Sequence, residues 1–263
     1  MATIDTVSLP DEGGWHFDWL VPLLLTPRAI MGRITAVSES VWHTPIFVLM
    51  LTALGRVLLA GSIKQTAALS GQVILPPGFE YYTPEQQAQF QQAMAATSGP
   101  VFTYVLPAIV AVLGVLAAWF LVGWLLHLVL TLLGGRGGSG QVLNIVAWAT
   151  LPYALRDLVR MASMLNSEQL LSHPGLSGFA ADIGANWSAM WSAYLASLLS
   201  LVDIYLLWYL VLLVMGVRLA NGVSRRKAWA VVLGVVIAIT LLQATPALIA
   251  AQFSDLTVIR PFF

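Results

Sequence analysis

Residues 104–133 read YVLPAIVAVLGVLAAWFLVGWLLHLVLTLL, thirty positions without a single Asp, Glu, Lys or Arg. A helix rises about 1.5 Å per residue, so about 20 such residues cross the roughly 30 Å hydrocarbon core of a bilayer. This stretch is longer than that, so its helix tilts or projects into water at one end. Working outward, four further apolar stretches qualify as spans: about 44–62, 142–165, 193–219 and 228–250. The third is interrupted by Pro152 and then by charges. Every backbone amide must be satisfied within its own segment in lipid, which predicts helices for all five. No period-two alternation suggests barrel strands.

The composition agrees. Hydrophobic residues make up 59 % of the 263 and charged residues only 9 %, against about 25 % charged in soluble domains. Mean hydropathy is +0.83. Twelve basic and twelve acidic residues cancel, so nothing points to nucleic acid or another electrostatic partner. A soluble enzyme, a disordered chain and a DNA-binding domain are excluded. With no Cys, disulfides, thiolate metal sites and a thiol nucleophile are excluded too. The first basic residue is Arg28, after Asp5, Asp11, Glu12 and Asp18. That is the reverse of a signal peptide's basic start, and the expectation is a retained cytosolic tail.

Position gives the charges meaning. Arg28, Arg33, Arg136, Arg218, Arg225, Arg226 and Lys227 fall on one side of the five spans, Lys64 and Arg260 on the other. The positive-inside bias puts the N-terminus in the cytosol and the C-terminus outside, with Arg225, Arg226 and Lys227 as the main signal. The expected fold is an all-α, polytopic integral membrane protein, a five-helix transmembrane bundle. Residues 1–43 form a cytosolic tail, 44–250 the membrane domain and 251–263 an extracytoplasmic C-terminal tail.

Outside the spans, Thr26-Pro27 opens a segment with Ile30, Met31, Ile34 and Val37 at helical spacing. Thr26 reads as its cap and Pro27 as its first residue. Such an amphipathic helix lies on the cytosolic leaflet or packs against the bundle floor. In the first outer loop, Pro76-Pro77-Gly78 reads as a turn and 85–96 as a polar helix. Trp187 and Trp191 in the second outer loop read as an interfacial anchor. No internal repeat supports inverted symmetry.

Three motif matches are weak. Gly135-Arg136-Gly137-Gly138-Ser139-Gly140 fits G-x-G-x-x-G, but an apolar span precedes it and the next acid, Asp157, lies inside a span. It reads as a tight cytosolic turn built on Gly134, Gly135, Gly137 and Gly138, not a dinucleotide cradle. Gly137-Gly138-Ser139-Gly140 and Gly175-Leu176-Ser177-Gly178 both read G-x-S-G, the serine motif of rhomboid-type intramembrane proteases. Serine chemistry needs a histidine in reach, and the one histidine within a span is His127. Asp157 and Asp203 could in principle form an aspartyl dyad. Arg156 and Arg160 beside Asp157 would keep it ionised, and ion pairing is the simpler reading.

The intramembrane charges Arg56, Arg156, Asp157, Arg160 and Asp203 are therefore the most informative residues. Asp203 falls about ten residues, roughly 15 Å, into the fourth stretch, near the midplane. An unpaired charge there costs at least about 2.5–3.5 kcal/mol, so pairing with Arg156 or Arg56 is expected. A proton or conduction role and exposure to a water cavity remain open, and Arg160 could snorkel to the outer surface. Pro152 frees the carbonyl of Trp148, predicting a kink in the third helix. Ala193 with Ser197 and Gly234 with Ala238 permit close helix contact, inside the bundle or with a partner.

With five spans and a cytosolic N-terminus, the chain resembles the Yip (Ypt-interacting protein) domain family, bacterial type. Three stretches carry the resemblance. Leu23-Leu24-Leu25-Thr26-Pro27-Arg28-Ala29-Ile30-Met31 resembles the pre-span segment. His127-Leu128-Val129-Leu130-Thr131-Leu132-Leu133-Gly134-Gly135 resembles the helix end before a Gly-Gly turn. Gln141-Val142-Leu143-Asn144 through Ala149-Thr150-Leu151-Pro152 resembles the following helix with its proline. The resemblance covers about residues 20–250.

It implies a membrane protein without catalytic residues, cofactor or metal, sited in the bacterial cytoplasmic (inner) membrane. Eukaryotic relatives act with small GTPases in vesicle traffic through a long acidic tail, which about 25 residues before Thr26 do not supply. Some bacterial members accompany export ABC transporters. The expected function is a scaffold or accessory subunit, with the bilayer and an ABC-transporter-like complex or further copies of itself as partners. The alternative is a small channel or carrier using the Asp/Arg cluster.

Overall fold

The computed structural model describes residues 14–69, 79–97, 99–184 and 187–254. The turn expected at Pro76-Pro77-Gly78, the acids Asp5, Asp11 and Glu12, and Arg260 in the C-terminal tail lie outside them. The described residues form helices and connecting turns, without a strand among them. Two short helices, α1 (Leu20–Leu25) and α2 (Pro27–Ala36), precede the first long one, α3 (His43–Leu69). Next come α4 (Pro84–Thr97), α5 (Leu106–Leu132), α6 (Ser139–Ala149) and α7 (Leu151–Ser167). The chain continues through α8 (Ala180–Ile183), α9 (Ala189–Ser200), α10 (Ile204–Asn221) and α11 (Arg225–Ser254).

Five segments are long and apolar enough to cross a membrane: His43–Ala67, Val101–Leu132, Ser139–Ser167, Ile204–Asn221 and Arg225–Gln252. The third, made of α6 and α7, is the hub. α6 packs against α5, α10 and α2, while α7 packs against α3 and α10. Val142, Ile145, Val146, Trp148 and Ala149 are wholly buried. The backbones come close because Gly216 on α10 leaves room for Ile145, and Gly123 on α5 leaves room for Leu143. Such small residues let helices touch where lipid offers no hydrophobic drive for association.

Residues 14–36 pack onto the bundle. Ile30, Met31 and Ile34 of α2 are buried against α10 and α6, so the amphipathic face meets protein. Thr26 stands at the N-cap position, yet its hydroxyl donates back to the Pro22 carbonyl at 3.0 Å and caps nothing ahead of it. Pro27 begins α2 as expected, its missing N–H being one the first turn leaves unpaired anyway. The chain before α1 also turns onto α3: His16 N–H donates to Thr44 Oγ1 at 2.8 Å, and Trp15 meets Phe47 edge-on at 5.4 Å. At α4, Thr83 and Gln86 exchange hydrogen bonds of 3.0 and 3.3 Å, a reciprocal capping box.

Two interruptions of helices shape the polar interior. In the third span the helix breaks at Thr150, two residues before Pro152. Pro152 cannot donate to the Trp148 carbonyl, and the Thr150 hydroxyl bonds the Ala147 carbonyl at 2.6 Å. The fourth apolar stretch differs from the sequence expectation: it is not one helix with Asp203 near its middle. α9 ends at Ser200, and Asp203 is the N-cap of α10, its Oδ1 accepting the Leu206 N–H at 2.9 Å. Aspartate favours that position because its carboxylate satisfies a first-turn amide. Leu198, Leu199, Leu201 and Val202 carry the apolar pattern straight through the break, so hydropathy does not register it.

The loop between α7 and α8 closes that break. Leu176 N–H reaches the Leu199 and Val202 carbonyls at 2.9 and 3.2 Å. Gly175, at φ +60°, lies so close that a Cβ there would sit 2.7 to 2.9 Å from the carbonyl oxygens of Ser200, Val202 and Leu199. Only glycine fits this approach in this conformation. The G-x-S-G stretch thus serves as a splice between α9 and α10.

Candidate functional site

The five intramembrane charges converge from three elements. Asp157 on α7 is buried, its side chain 4 % exposed, and pairs with Arg56 Nε of α3 at 3.1 Å. Its chain neighbour Arg156 and, one turn on, Arg160 each place a guanidinium nitrogen 3.6 Å from Asp203 Oδ2 at the head of α10. Asp203 thus caps α10 with one oxygen and holds two arginines with the other. Arg56 is not its partner, and Arg160 turns inward to the carboxylate instead of reaching for the surface. Asp157 and Asp203 engage different arginines, an arrangement of ion pairs and not of a proton-sharing dyad.

Arg156 also lies over the Tyr153 ring, 4.6 Å from its centroid, and Tyr153 packs on Tyr209 of α10 at 5.1 Å. Desolvated arginine–aromatic contacts of this kind contribute about 2 kcal/mol. Arg156 Nε is buried and has no hydrogen-bond partner among the described residues. The cluster carries three positive and two negative side chains, a surplus of one positive charge.

These groups stand at one end of a cavity of about 540 Å³ between α3, α5, α7, α10 and α11. Arg56, Arg156 and Asp157 line it, together with Gln243 and the apolar Leu49 and Val122. Along each helix the charged members lie toward the same end: Arg56 follows Leu49 on α3, and Asp157 follows Thr150 on α7. Sequence reasoning did not find Tyr153, Tyr209 or Gln243. A signal was available, since Tyr153 sits three residues before Arg156 on the same helical face and Gln243 is a polar residue inside the fifth apolar stretch.

At the opposite end of the hub, side chains of α6 hold non-helical backbone. Asn144 accepts the Val41 N–H at 3.1 Å and donates to the Glu39 carbonyl at 2.8 Å. Trp148 Nε1 donates to the Val41 carbonyl at 3.0 Å, and Gln141 to that of Thr35. Glu39 and Val41 lie in the connection between α2 and α3, where Asn144 and Trp148 supply the backbone partners, and Gln141 takes a carbonyl in the last turn of α2. The glycine turn is tied down at the same end. Gly134 adopts φ +81°, and Gly137 N–H donates to Asn221 Oδ1 at 3.0 Å. Arg225, Arg226 and Lys227 are exposed just beyond Asn221, and Trp187 and Trp191 are about half exposed at the other end.

The serine motifs form no catalytic pairing in this geometry. Ser139 opens α6 and is exposed, while Ser177 Oγ and His127 Nδ1 each lack a hydrogen-bond partner among the described residues. No group of three or more His, Cys, Asp or Glu stands in metal-binding range among the described residues.

No curated protein and no solved structure matches the chain. The Yip1 domain family profile matches residues 22–245, from α1 through most of α11, and so takes in the α6 clamp, the glycine turn and the charged cluster. An all-helical bundle with five membrane-spanning helices, matched over that length, is an integral membrane protein that belongs to the Yip1 domain family.

Proposed function

We propose that this protein is a non-catalytic accessory subunit of the bacterial inner membrane, packing sideways against the membrane domain of an ABC-type exporter. The observation that carries the reading is where the chain puts its chemistry. Both intramembrane carboxylates are held in internal ion pairs, whereas the second span leaves Ile109, Val110, Leu113, Phe120 and Trp124 exposed. Only 6 % of its most apolar window is buried, against 67 % for the third span. A bundle built this way offers shape and apolar area to its surroundings in place of a reactive group.

Family membership supports a membrane role, and the resemblance to bacterial members supports the choice of partner. The channel or carrier reading would need the Asp/Arg cluster to pass ions along, while both of its carboxylates are held by arginines. Purification in mild detergent from cells expressing the protein at native abundance, followed by mass spectrometry, tests the proposal. Co-purification of a transporter membrane subunit is the expected result. A strictly solitary protein would contradict it.

A further inference from the structure

The cavity has the build of a site for an amphiphile. Its charged lining residues, Arg56, Arg156 and Asp157, gather toward one end, and most of the remaining lining is apolar. The lining residues of α5 run from Val110 to Val122, about 18 Å of helix rise, so the space is elongated across the membrane. Its volume of about 540 Å³ falls in the range of roughly 300–1,000 Å³ usual for ligand sites. The rim is open to the bilayer, since Val110 is 67 % and Leu242 55 % exposed.

Depth and charge agree with this. α10 has 18 residues, about 27 Å of rise, close to the thickness of the hydrocarbon core. Asp203, capping it, stands toward one end of that helix and holds Arg156 and Arg160 there. The cluster's surplus positive charge is partly desolvated, a costly state that one anion would relieve. Arg156 Nε, buried and without a hydrogen-bond partner among the described residues, is a donor in need of an acceptor.

We propose that the cavity binds one anionic phospholipid, its phosphate at Arg156 and an acyl chain running between α5 and α11. Arginine suits phosphate because its planar donors engage two oxygens at once. The apolar wall formed by Gly114, Val115 and Ile239 suits a hydrocarbon chain. The assignment stands whether or not the protein has an exporter as partner.

The test uses the full chain, purified in mild detergent and delipidated, with bound species counted by native mass spectrometry. It is titrated separately with phosphatidylglycerol, phosphatidylcholine and inorganic phosphate. One phosphatidylglycerol should be retained in preference to phosphatidylcholine, and phosphate should neither be retained nor displace it. Arg156→Gln should weaken retention about tenfold, the equivalent of one charge-assisted contact. Gly114→Leu should do the same by filling the chain's path, since a Cβ at Gly114 meets nothing within 4 Å and the new side chain starts out in open space; an unchanged unfolding midpoint of the delipidated variant checks the fold. Equal retention of the two lipids would overturn the proposal. So would full competition by phosphate with Gly114→Leu silent, which would make the cluster a free-anion site. If Arg156→Gln does not fold, Gly114→Leu decides, and unchanged retention in that variant counts against the proposal.

Discussion

The second and third spans invert the rule familiar from soluble proteins. The second is the more apolar, with mean hydropathy 2.7, yet only 6 % of its window is buried. The third has the lowest mean hydropathy of the five, 1.2, and 67 % of its window is buried. In water the apolar helix would go inside. In lipid, apolar surface loses nothing by facing outward, while every polar group must find a partner inside. Asn144, Thr150 and Asp157, three of the buried polar residues, all lie on the third span. That span is the hub because it carries polar groups, not in spite of them.

Tryptophan offers the sharpest way to break this comparison, because Trp148 of the third span and Trp124 of the second differ so widely in burial. Trp148 is wholly buried on α6, whereas Trp124 on α5 is 53 % exposed. Trp148→Ala removes a packed indole and the hydrogen bond to Val41, and should cost about 3–5 kcal/mol in thermal or denaturant unfolding of the detergent-solubilised protein. A similar cost at Trp124 would mean that the second span is held by packing after all.

Asp157→Ala comes next. It strands Arg56 beside a cavity, and removing one partner of a buried pair costs about 3–5 kcal/mol. Because the Arg56 side chain is 35 % exposed, a loss of about 3 kcal/mol is expected, read as a lowered unfolding midpoint. Asn144→Leu, of the same branched shape but larger, deprives one backbone N–H and one carbonyl of partners and should cost at least about 2 kcal/mol. Hydrogen exchange at Val41 should rise in the same variant. Trp124→Ala closes the series, with a change within about 0.5 kcal/mol.

Much of this was legible in the sequence because hydropathy and backbone satisfaction act locally. Four of the five spans, the helix led by Pro27, the interruption near Pro152 and the glycine turn all follow from near neighbours in the chain. What was not legible depends on distant partners or on breaks that hydropathy does not mark. Asn144 and Val41 are 103 residues apart, so the clamp cannot be seen by reading along one segment. The break before Asp203 is hidden by apolar residues on both sides, and it needs the carbonyl partners supplied by Leu176 and the space left by Gly175. That break puts Asp203 at the head of a helix instead of within one. Of its two expected partners it keeps Arg156 and not Arg56, and it adds Arg160.

A double-mutant cycle on Arg56 and Asp157 addresses the central claim, that the charged groups of the third span are turned inward and paired there. Arg56→Ala, Asp157→Ala and the double variant are reconstituted in lipid nanodiscs and their unfolding compared with the unaltered protein. A coupling of about 1–3 kcal/mol is predicted, with the double variant more stable than the sum of the single losses implies. Strictly additive losses would contradict the claim, because they would mean that the two charges do not meet across α3 and α7.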